Sequence, residues 1–256
     1  MKINLNHVLK KKKNDMGLKI PKIPKMPKFR IPKPRVPVNS IERDEDLDLV
    51  KKTLWVSVQD RLLMDRVIFL SGIIKKSTAN RIFAVMFFLN ADNDDIVMYI
   101  NSPGGEARSA ITIYDTMNTV VANVYTIVTG LAASSASLIL SGGTMGSRVA
   151  LPNARIMIHQ PVAGPFSGSP HILASEAERM LELRNTIASI YAKNTDKPLS
   201  VIQKDLEREK YMSATEAQAY GIIDHVTLPG GIKRAPEEEE RKQGDFDPAK
   251  YKSGNF

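Results

Sequence analysis

The sequence predicts an α/β fold built on a mainly parallel sheet. Short β-rich segments alternate with segments of helical periodicity, which is the order expected when strands and helices form successive layers. Several strand-to-helix junctions contain glycine or serine, and function in such folds is concentrated where strands end and helices begin. A histidine also closes one of the later strands.

The apolar pattern justifies each predicted element in order. Residues 67–70 form a short apolar run that ends at a Ser-Gly pair, and residues 77–90 carry apolar side chains at helical spacing. Residues 96–100 are β-rich and end at Asn-Ser-Pro-Gly-Gly. Residues 107–120 are predicted to form a helix, and residues 124–128 a buried strand.

Three further elements complete the predicted domain. Residues 132–141 are small and apolar and predict the start of a helix, and residues 155–158 predict a strand. Residues 171–192 predict a long helix, because apolar side chains recur along one face. Those side chains belong to Leu173, Ala177, Met180, Leu181, Ile187, Ile190 and Tyr191.

Charge and proline content divide the chain into three regions. Residues 1–40 hold twelve Lys and Arg but one Asp, a net charge of +11, so a total of +8 leaves −3 for the rest. Six prolines in a repeating Lys-x-Pro pattern predict that this arm is extended and flexible. Residues 229–256 are polar and lack periodicity, which predicts a disordered tail. The folded domain is therefore expected at residues 41–228.

Composition excludes several functional classes. The chain has no cysteine, so disulfides, thiolate metal sites and cysteine nucleophiles are ruled out, and no metal site is predicted. No run of eighteen apolar residues occurs, so no membrane-spanning helix is expected. The positive charge is confined to the arm, which argues against a nucleic-acid-binding protein.

Two glycine- or serine-rich junctions offer groups for catalysis. Residues 101–105 (Asn-Ser-Pro-Gly-Gly) could present main-chain N–H groups to a developing oxyanion, although a plain turn explains the same letters. Residues 130–137 place Ser134 before a predicted helix, where a hydroxyl becomes a nucleophile if a base removes its proton. A helix cap is the alternative interpretation of Ser134.

The third junction supplies a possible base. His159 closes the predicted strand 155–158, whereas His7 lies in the arm, His171 opens the long helix and His225 follows the last strand-like segment. His159 is therefore the best candidate for a base at neutral pH. A structural histidine is the alternative. Together the junctions favour a hydrolase with a serine and a histidine, but spacing alone does not show that they meet.

Four segments then carry a family resemblance. YINSPGGEARSAITIYDTM, GLAASSASLIL, LPNARIMIHQP and MSATEAQAYGIIDHV occur in this order between about residues 47 and 228. They resemble the proteolytic subunit of the Clp protease (ClpP), and most of all its plastid-encoded version. That version usually starts at the position of Met16, so the true start is left open between Met1 and Met16.

The resemblance implies a role for five residues. Ser134 matches the nucleophile of the family and His159 its general base, while the oxyanion hole comes from the backbone N–H groups of Gly105 and Ser135. The family usually has methionine where this chain has Ser135. Glu209 occupies the position of the aspartate that orients the histidine, and its extra methylene puts the rate of catalysis in question.

Asp205, four residues before Glu209, is a conceivable substitute acid, although it is expected to face elsewhere.

The resemblance also implies a fold and partners. The fold is crotonase-like (the ClpP fold), with stacked β-turn-helix units and a protruding handle helix at residues 171–192. Subunits of this type form stacked seven-membered rings with other ClpP- and ClpR-type subunits. A Clp-family AAA+ unfoldase would use ATP and deliver unfolded proteins, so this chain itself needs no cofactor. The implied location is the chloroplast stroma.

Two alternatives remain beside an active serine endopeptidase. A weakly active or non-catalytic ring subunit (ClpR-like) would explain Glu209 and the unusual Ser135. A crotonase-class acyl-CoA enzyme would share the fold and would use a carboxylate near the glycine-rich loop, for which Glu106 is available.

Overall fold

The structure, a computed structural model, describes residues 34–43, 49–165 and 167–227. The predicted arm up to residue 33 and the predicted tail at 229–256 lie outside the described residues. The chain divides at Ser57 into two compact units.

The first unit contains a β-hairpin. Strand β1 (Arg35–Arg43) pairs antiparallel with strand β2 (Leu49–Ser57), and Arg35 lies opposite Ser57. The flexible arm was predicted to extend to residue 40, so its last six residues are instead part of a paired strand. Proline did not prevent this, because a two-stranded sheet has only edge strands, and an edge strand tolerates a residue such as Pro37.

The second unit alternates helices and strands. In chain order it contains α1 (Val58–Met64), β3 (Val67–Ser71), α2 (Lys76–Leu89), a 3-10 turn (Asn90–Asp92), β4 (Ile96–Ser102), α3 (Ala107–Thr119), β5 (Val124–Ala133), α4 (Ser135–Ser141), β6 (Arg148–Ala150), β7 (Arg155–Ile158), α5 (Pro170–Thr195), α6 (Leu199–Asp205), β8 (Lys210–Ser213), α7 (Ala214–Tyr220) and β9 (His225–Val226).

The sheet of this unit is mainly parallel, and the predicted α/β fold is confirmed. Five strands follow the order β3-β4-β5-β6-β9, and every neighbouring pair in that order is parallel. Strand β7 runs parallel to the last part of β5, and β8 joins β7 antiparallel. This arrangement brings the ends of β4, β5 and β7 to one region.

Apolar periodicity decides which faces are buried. In β4 the side chains of Ile96, Met98 and Ile100 are buried while the residues between them are partly exposed, as expected for a strand. Helix α2 buries Ala79, Ile82, Met86 and Leu89 along one face. All seven residues of α4 are buried, and small side chains let this helix lie at the centre of the unit.

Strand β5 is longer than the sequence predicted. The helix expected to start at residue 132 begins only at Ser135, because residues 131–133 continue the strand and pair with β7. Alanine at 132 and 133 favours a helix, but pairing on both edges of the strand outweighs that local preference. The consequence is an abrupt strand-to-helix junction at Ser134.

Helix α5 agrees with the predicted handle within three residues at either end. Its last turns are packed, and Ile187, Ala188 and Tyr191 are buried there. Leu173 and Leu181, on its earlier turns, are exposed. Among the residues described, no helix combines the length and the hydropathy needed to cross a membrane.

A buried ion pair joins β6 to the chain just before β9. Arg148 is 3% exposed, and its guanidinium donates to both carboxylate oxygens of Asp224 at 3.0 and 2.5 Å. Burial would raise the pKa of Asp224, but the hydrogen bonds and the charge of Arg148 outweigh it and hold that pKa below its usual range. Arg148 also donates to the Asn194 carbonyl at the end of α5.

We expect Asp224→Ala to lower the free energy of unfolding by about 3–5 kcal/mol, because it leaves the Arg148 charge buried without a partner. Urea unfolding at one fixed protein concentration measures this loss. The control is Asp65→Ala, which breaks the half-exposed Arg61–Asp65 pair and should cost no more than about 1 kcal/mol. Equal losses of unfolding free energy in the two variants would contradict the claim that the buried charge of Arg148 needs Asp224 as its partner.

The same pair predicts a pH dependence. A carboxylate whose pKa is lowered in the folded state stabilises the fold above its unfolded pKa of about 3.9, and the stabilisation is lost as the pH falls below that value. The difference in the free energy of unfolding between the unchanged protein and Asp224→Ala should therefore become smaller below about pH 4.

Candidate active site

Ser134 occupies a strained turn between β5 and α4. Its φ of 57° and ψ of −127° are unusual for a residue with a side chain. Such backbone costs about 1–3 kcal/mol and is typical of functional turns. The Ser134 N–H donates to the Met157 carbonyl at 2.8 Å, which fixes the turn to β7. The Ser134 side chain makes no helix-capping hydrogen bond, so the cap interpretation of this serine is wrong.

The Ser134 hydroxyl instead meets His159. Ser134 Oγ lies 2.7 Å from Nε2 of the His159 ring. The register explains the contact, because Ala133 lies opposite Met157 where β5 and β7 run side by side, and both functional residues follow within two positions. This distance is within reach for proton transfer, so the imidazole can act as a base toward the hydroxyl.

The glycine-rich loop after β4 lies against this turn. Gly104 has φ +92°, and an added Cβ would lie 2.6 Å from the Ala133 carbonyl oxygen and 2.8 Å from the Ser134 Cβ. The buried Ser102 hydroxyl holds the loop, because it donates to the Gly72 carbonyl and accepts from the Gly104 N–H. Glycine is therefore required at position 104 for the loop and the Ser134 turn to approach this closely.

Among the residues that the structure describes, the main-chain N–H of Gly105 has no hydrogen-bond acceptor, and Gly105 lies beside the serine. Ile74 N–H donates to the carbonyl of Gly104, and Glu106 N–H donates to the carbonyl of Ile74. Because these two bonds complete the parallel bridge between Ile74 and Gly105, the N–H of Gly105 itself points away from Ile74. Ser135 is the first residue of α4, where a helix leaves its N–H without an intrahelical acceptor.

A cavity of about 540 Å³ opens beside these groups. Ser134, His159, Gly105 and Ser135 all line it. Helix α5 contributes both apolar side chains and the charged Glu176 to the lining, and two further charged side chains come from around the start of α3. The remaining lining residues are Glu106, Ala107, Arg108, Leu138, Pro161, Val162, Glu176, Met180, Leu183, Ile187 and Tyr191.

Known proteins are similar in sequence to this chain over most of its length. The Clp protease family profile matches residues 50–229. The ATP-dependent Clp protease proteolytic subunit of Anthoceros angustus is 42% identical over 215 residues, which cover 83% of this chain and 96% of that protein.

The chain belongs to the Clp protease family.

Two further proteolytic subunits show the same relation. The one from Marchantia polymorpha is 40% identical over 83% of this chain and 96% of its own length. The one from Oltmannsiellopsis viridis is 45% identical over 67% of this chain and 89% of its own. These relatives are plastid-encoded subunits, so the predicted resemblance is confirmed. The match favours a peptidase over the acyl-CoA alternative. Glu106, the residue before α3, accepts a hydrogen bond from the Ser109 hydroxyl in the first turn of that helix.

The structure does not join Glu209 to His159. Ile158 lies opposite Lys210 in the β7–β8 ladder, so the register continued by one residue places Glu209 opposite His159. The Glu209 side chain is nevertheless exposed, and within the described ranges no hydrogen bond or ion pair links it to the imidazole. The orienting role expected of Glu209 therefore stays a prediction.

Asp205 is committed elsewhere, as the sequence led us to expect. Its carboxylate pairs with Lys210 at 2.8 Å and accepts the Tyr220 hydroxyl at 2.7 Å. Burial would raise the pKa of Asp205, but the hydrogen bonds from Lys210 and Tyr220 outweigh it and lower that pKa. Asp205 thus ties the end of α6 to β8 and α7.

Two residues near Ser134 escaped the sequence reasoning. Ser137 was taken only as part of a small-residue helix, and Tyr191 only as part of the apolar face of α5. The signal available for Tyr191 was its hydroxyl, since a tyrosine buried in a helix face needs a hydrogen-bond partner. That partner is Ser137, one turn after Ser134.

The packing of Gly104 predicts a selective loss of activity. Gly104→Ala should slow hydrolysis of a short fluorogenic peptide by about 10²-fold, because the new Cβ displaces the Ser134 turn. Gly146→Ala is the matched control, since Gly146 has φ +83° but nothing within 4 Å of an added Cβ. Both changes should cost about 1–2 kcal/mol of stability through the left-handed backbone, and Gly104→Ala should cost more because its Cβ also clashes with the Ala133 carbonyl oxygen. Equal activities of the two variants would contradict the proposed contact.

Proposed function

We propose that this chain is a serine-type endopeptidase subunit of an ATP-dependent Clp protease, with Ser134 as nucleophile and His159 as general base. The observation that carries the proposal is the 2.7 Å contact between Ser134 Oγ and His159 Nε2 at a strained turn. Family membership supports the same reaction class. The nucleophile, base and amide donors expected from the sequence all line one cavity.

The reaction follows from the positions of these groups. Ser134 Oγ attacks the peptide carbonyl carbon while His159 Nε2 takes the hydroxyl proton. The carbonyl oxygen becomes an oxyanion, which the N–H groups of Gly105 and Ser135 stabilise. As the carbon–nitrogen bond breaks, the imidazolium returns the proton to the leaving amine. A water activated by His159 then hydrolyses the acyl-serine ester and restores the hydroxyl.

The proposal includes an assembly. Subunits of this kind would form stacked seven-membered rings with other ClpP- or ClpR-type subunits, and a Clp-family AAA+ unfoldase would spend ATP to deliver unfolded chains. The exposed Leu173 and Leu181 on the early turns of α5 support a partner ring that covers this helix. Plastid-encoded relatives support the chloroplast stroma as the location.

A second candidate is a weakly active, largely structural ring subunit. The exposed Glu209, without a contact to His159, favours this alternative. An aspartate-type partner normally holds the imidazole in the correct tautomer, and losing it costs about 10⁴ in kcat in a related site. The two candidates differ in whether Glu209 reaches His159 when a peptide is bound.

Labelling by a fluorophosphonate probe tests the nucleophile. The assembled protein should be labelled on Ser134, and Ser134→Ala should abolish both labelling and peptide hydrolysis, because in the described part of the chain no other hydroxyl hydrogen-bonds to His159. Ser189→Ala, which removes an exposed hydroxyl on α5, is the control and should behave like the unchanged protein. An assembled ring that hydrolyses peptide but labels at another residue would sink the assignment.

Variants at Glu209 separate the two candidates. For an active enzyme, Glu209→Gln should lower kcat by about 10²-fold or more, because the imidazole loses its negative partner. Glu207→Gln, at a carboxylate that is 62% exposed and two residues away, is the matched control and should change little. A Glu209→Gln variant with full activity would remove Glu209 from the mechanism. A several-hundredfold gain in Glu209→Asp would instead identify the weakly active subunit.

A further inference from the structure

Two buried hydroxyls converge on the main chain of Ser134. The Ser137 Oγ lies 2.6 Å from the Ser134 carbonyl oxygen and 2.7 Å from the Met157 carbonyl oxygen. The Tyr191 hydroxyl lies 2.8 Å from Ser137 Oγ and 3.4 Å from the Ser134 carbonyl oxygen. Ser137 is fully buried and Tyr191 is 1% exposed, so water does not compete for these bonds.

The two hydroxyl hydrogens can satisfy this cluster as a chain, with the shorter contacts carrying the hydrogen bonds. Each hydroxyl has one hydrogen to donate. When Tyr191 donates to Ser137 Oγ, the Ser137 hydroxyl remains free to donate to a carbonyl oxygen. Burial raises the pKa of Tyr191, and the hydrogen bond with Ser137 opposes that increase only in part, so the phenol keeps its proton at neutral pH.

The peptide bond transmits this anchoring to the cavity. The carbonyl of Ser134 and the N–H of Ser135 belong to one planar trans peptide unit and point in opposite directions. The carbonyl accepts from the Ser137 N–H at 3.0 Å as well as lying near the two hydroxyls. Holding the carbonyl on the buried side therefore directs the Ser135 N–H away from it, toward the cavity that Ser135 lines.

We infer that Ser137 and Tyr191 are positioning residues that fix the Ser134–Ser135 peptide with its N–H directed at the oxyanion. Neither side chain needs to touch the peptide substrate for this. The inference rests on the proposed peptidase function and adds the means by which one oxyanion donor is held in place. Because Tyr191 lies near the C-terminal end of α5, that end of the helix contributes directly to the geometry of the nucleophile turn.

The test uses Tyr191→Phe and Ser137→Ala in the assembled protein. Each variant removes a single oxygen, so the fold has little reason to change. Removing an oxyanion donor costs about 10²–10³ in kcat, and loosening one should cost less, about tenfold for each variant. KM for a short peptide should stay within about twofold, because uniform binding is untouched.

A peptide boronate gives the readout that a purely structural role would not move. Its tetrahedral adduct mimics the transition state, so its affinity should fall by the same factor as kcat/KM. Thr126→Val is the matched control, since Thr126 is also fully buried and donates to the Leu140 carbonyl at the far end of α4. It should leave both kcat and boronate affinity unchanged.

The double variant tests whether the hydroxyls act as one chain. Tyr191→Phe combined with Ser137→Ala should be little slower than the slower single variant, because either change already breaks the chain. Losses that multiply would overturn the coupled arrangement. Single variants with unchanged kcat and boronate affinity would overturn the inference while leaving the peptidase intact. Absence of hydrolysis in the unchanged ring, by contrast, would count against the proposed function itself.

Discussion

The hydrogen bond between the Ser134 hydroxyl and the His159 imidazole is the interaction on which the rest of this structure depends. It requires β5 and β7 to run in parallel register up to Ala133 and Met157, and it requires the chain to turn sharply at Ser134. That turn stores backbone strain, which must be offset by the surrounding bonds. The Met157 carbonyl takes the Ser134 N–H, and the fully buried α4 fixes the residues that follow.

The amide donors depend on different local chemistry. Gly105 presents its N–H because the flanking residues, not Gly105, complete the bridge to Ile74. Ser135 presents its N–H because it begins a helix and because buried hydroxyls hold the other side of its peptide. Elements distant in sequence thus share one task. The loop after β4 supplies the N–H of Gly105, and the C-terminal end of α5 helps to orient the N–H of Ser135.

The sequence predicted the layer pattern and the pairing of candidate residues for a physical reason. Periodicity reports burial, and strand ends meet at one edge of a parallel sheet. Local preference failed where tertiary pairing decided the outcome, as in residues 131–133, which form strand despite two alanines. Beyond the Ser134–His159 pair, side-chain contacts were not predicted from the sequence. The partnership of Ser137 with Tyr191 spans 54 positions, and the missing contact between Glu209 and His159 depends on rotamer and backbone detail that no periodicity encodes.

The most direct test of the account is a crystal structure of the assembled protein with a peptide boronate bound. In that structure boron should be bonded to Ser134 Oγ, with one boronate oxygen about 2.7–3.1 Å from the main-chain nitrogens of both Gly105 and Ser135. His159 should then hydrogen-bond to the adduct through Nε2. A boronate attached to a different residue, or an adduct whose oxygens face away from both amides, would contradict the account.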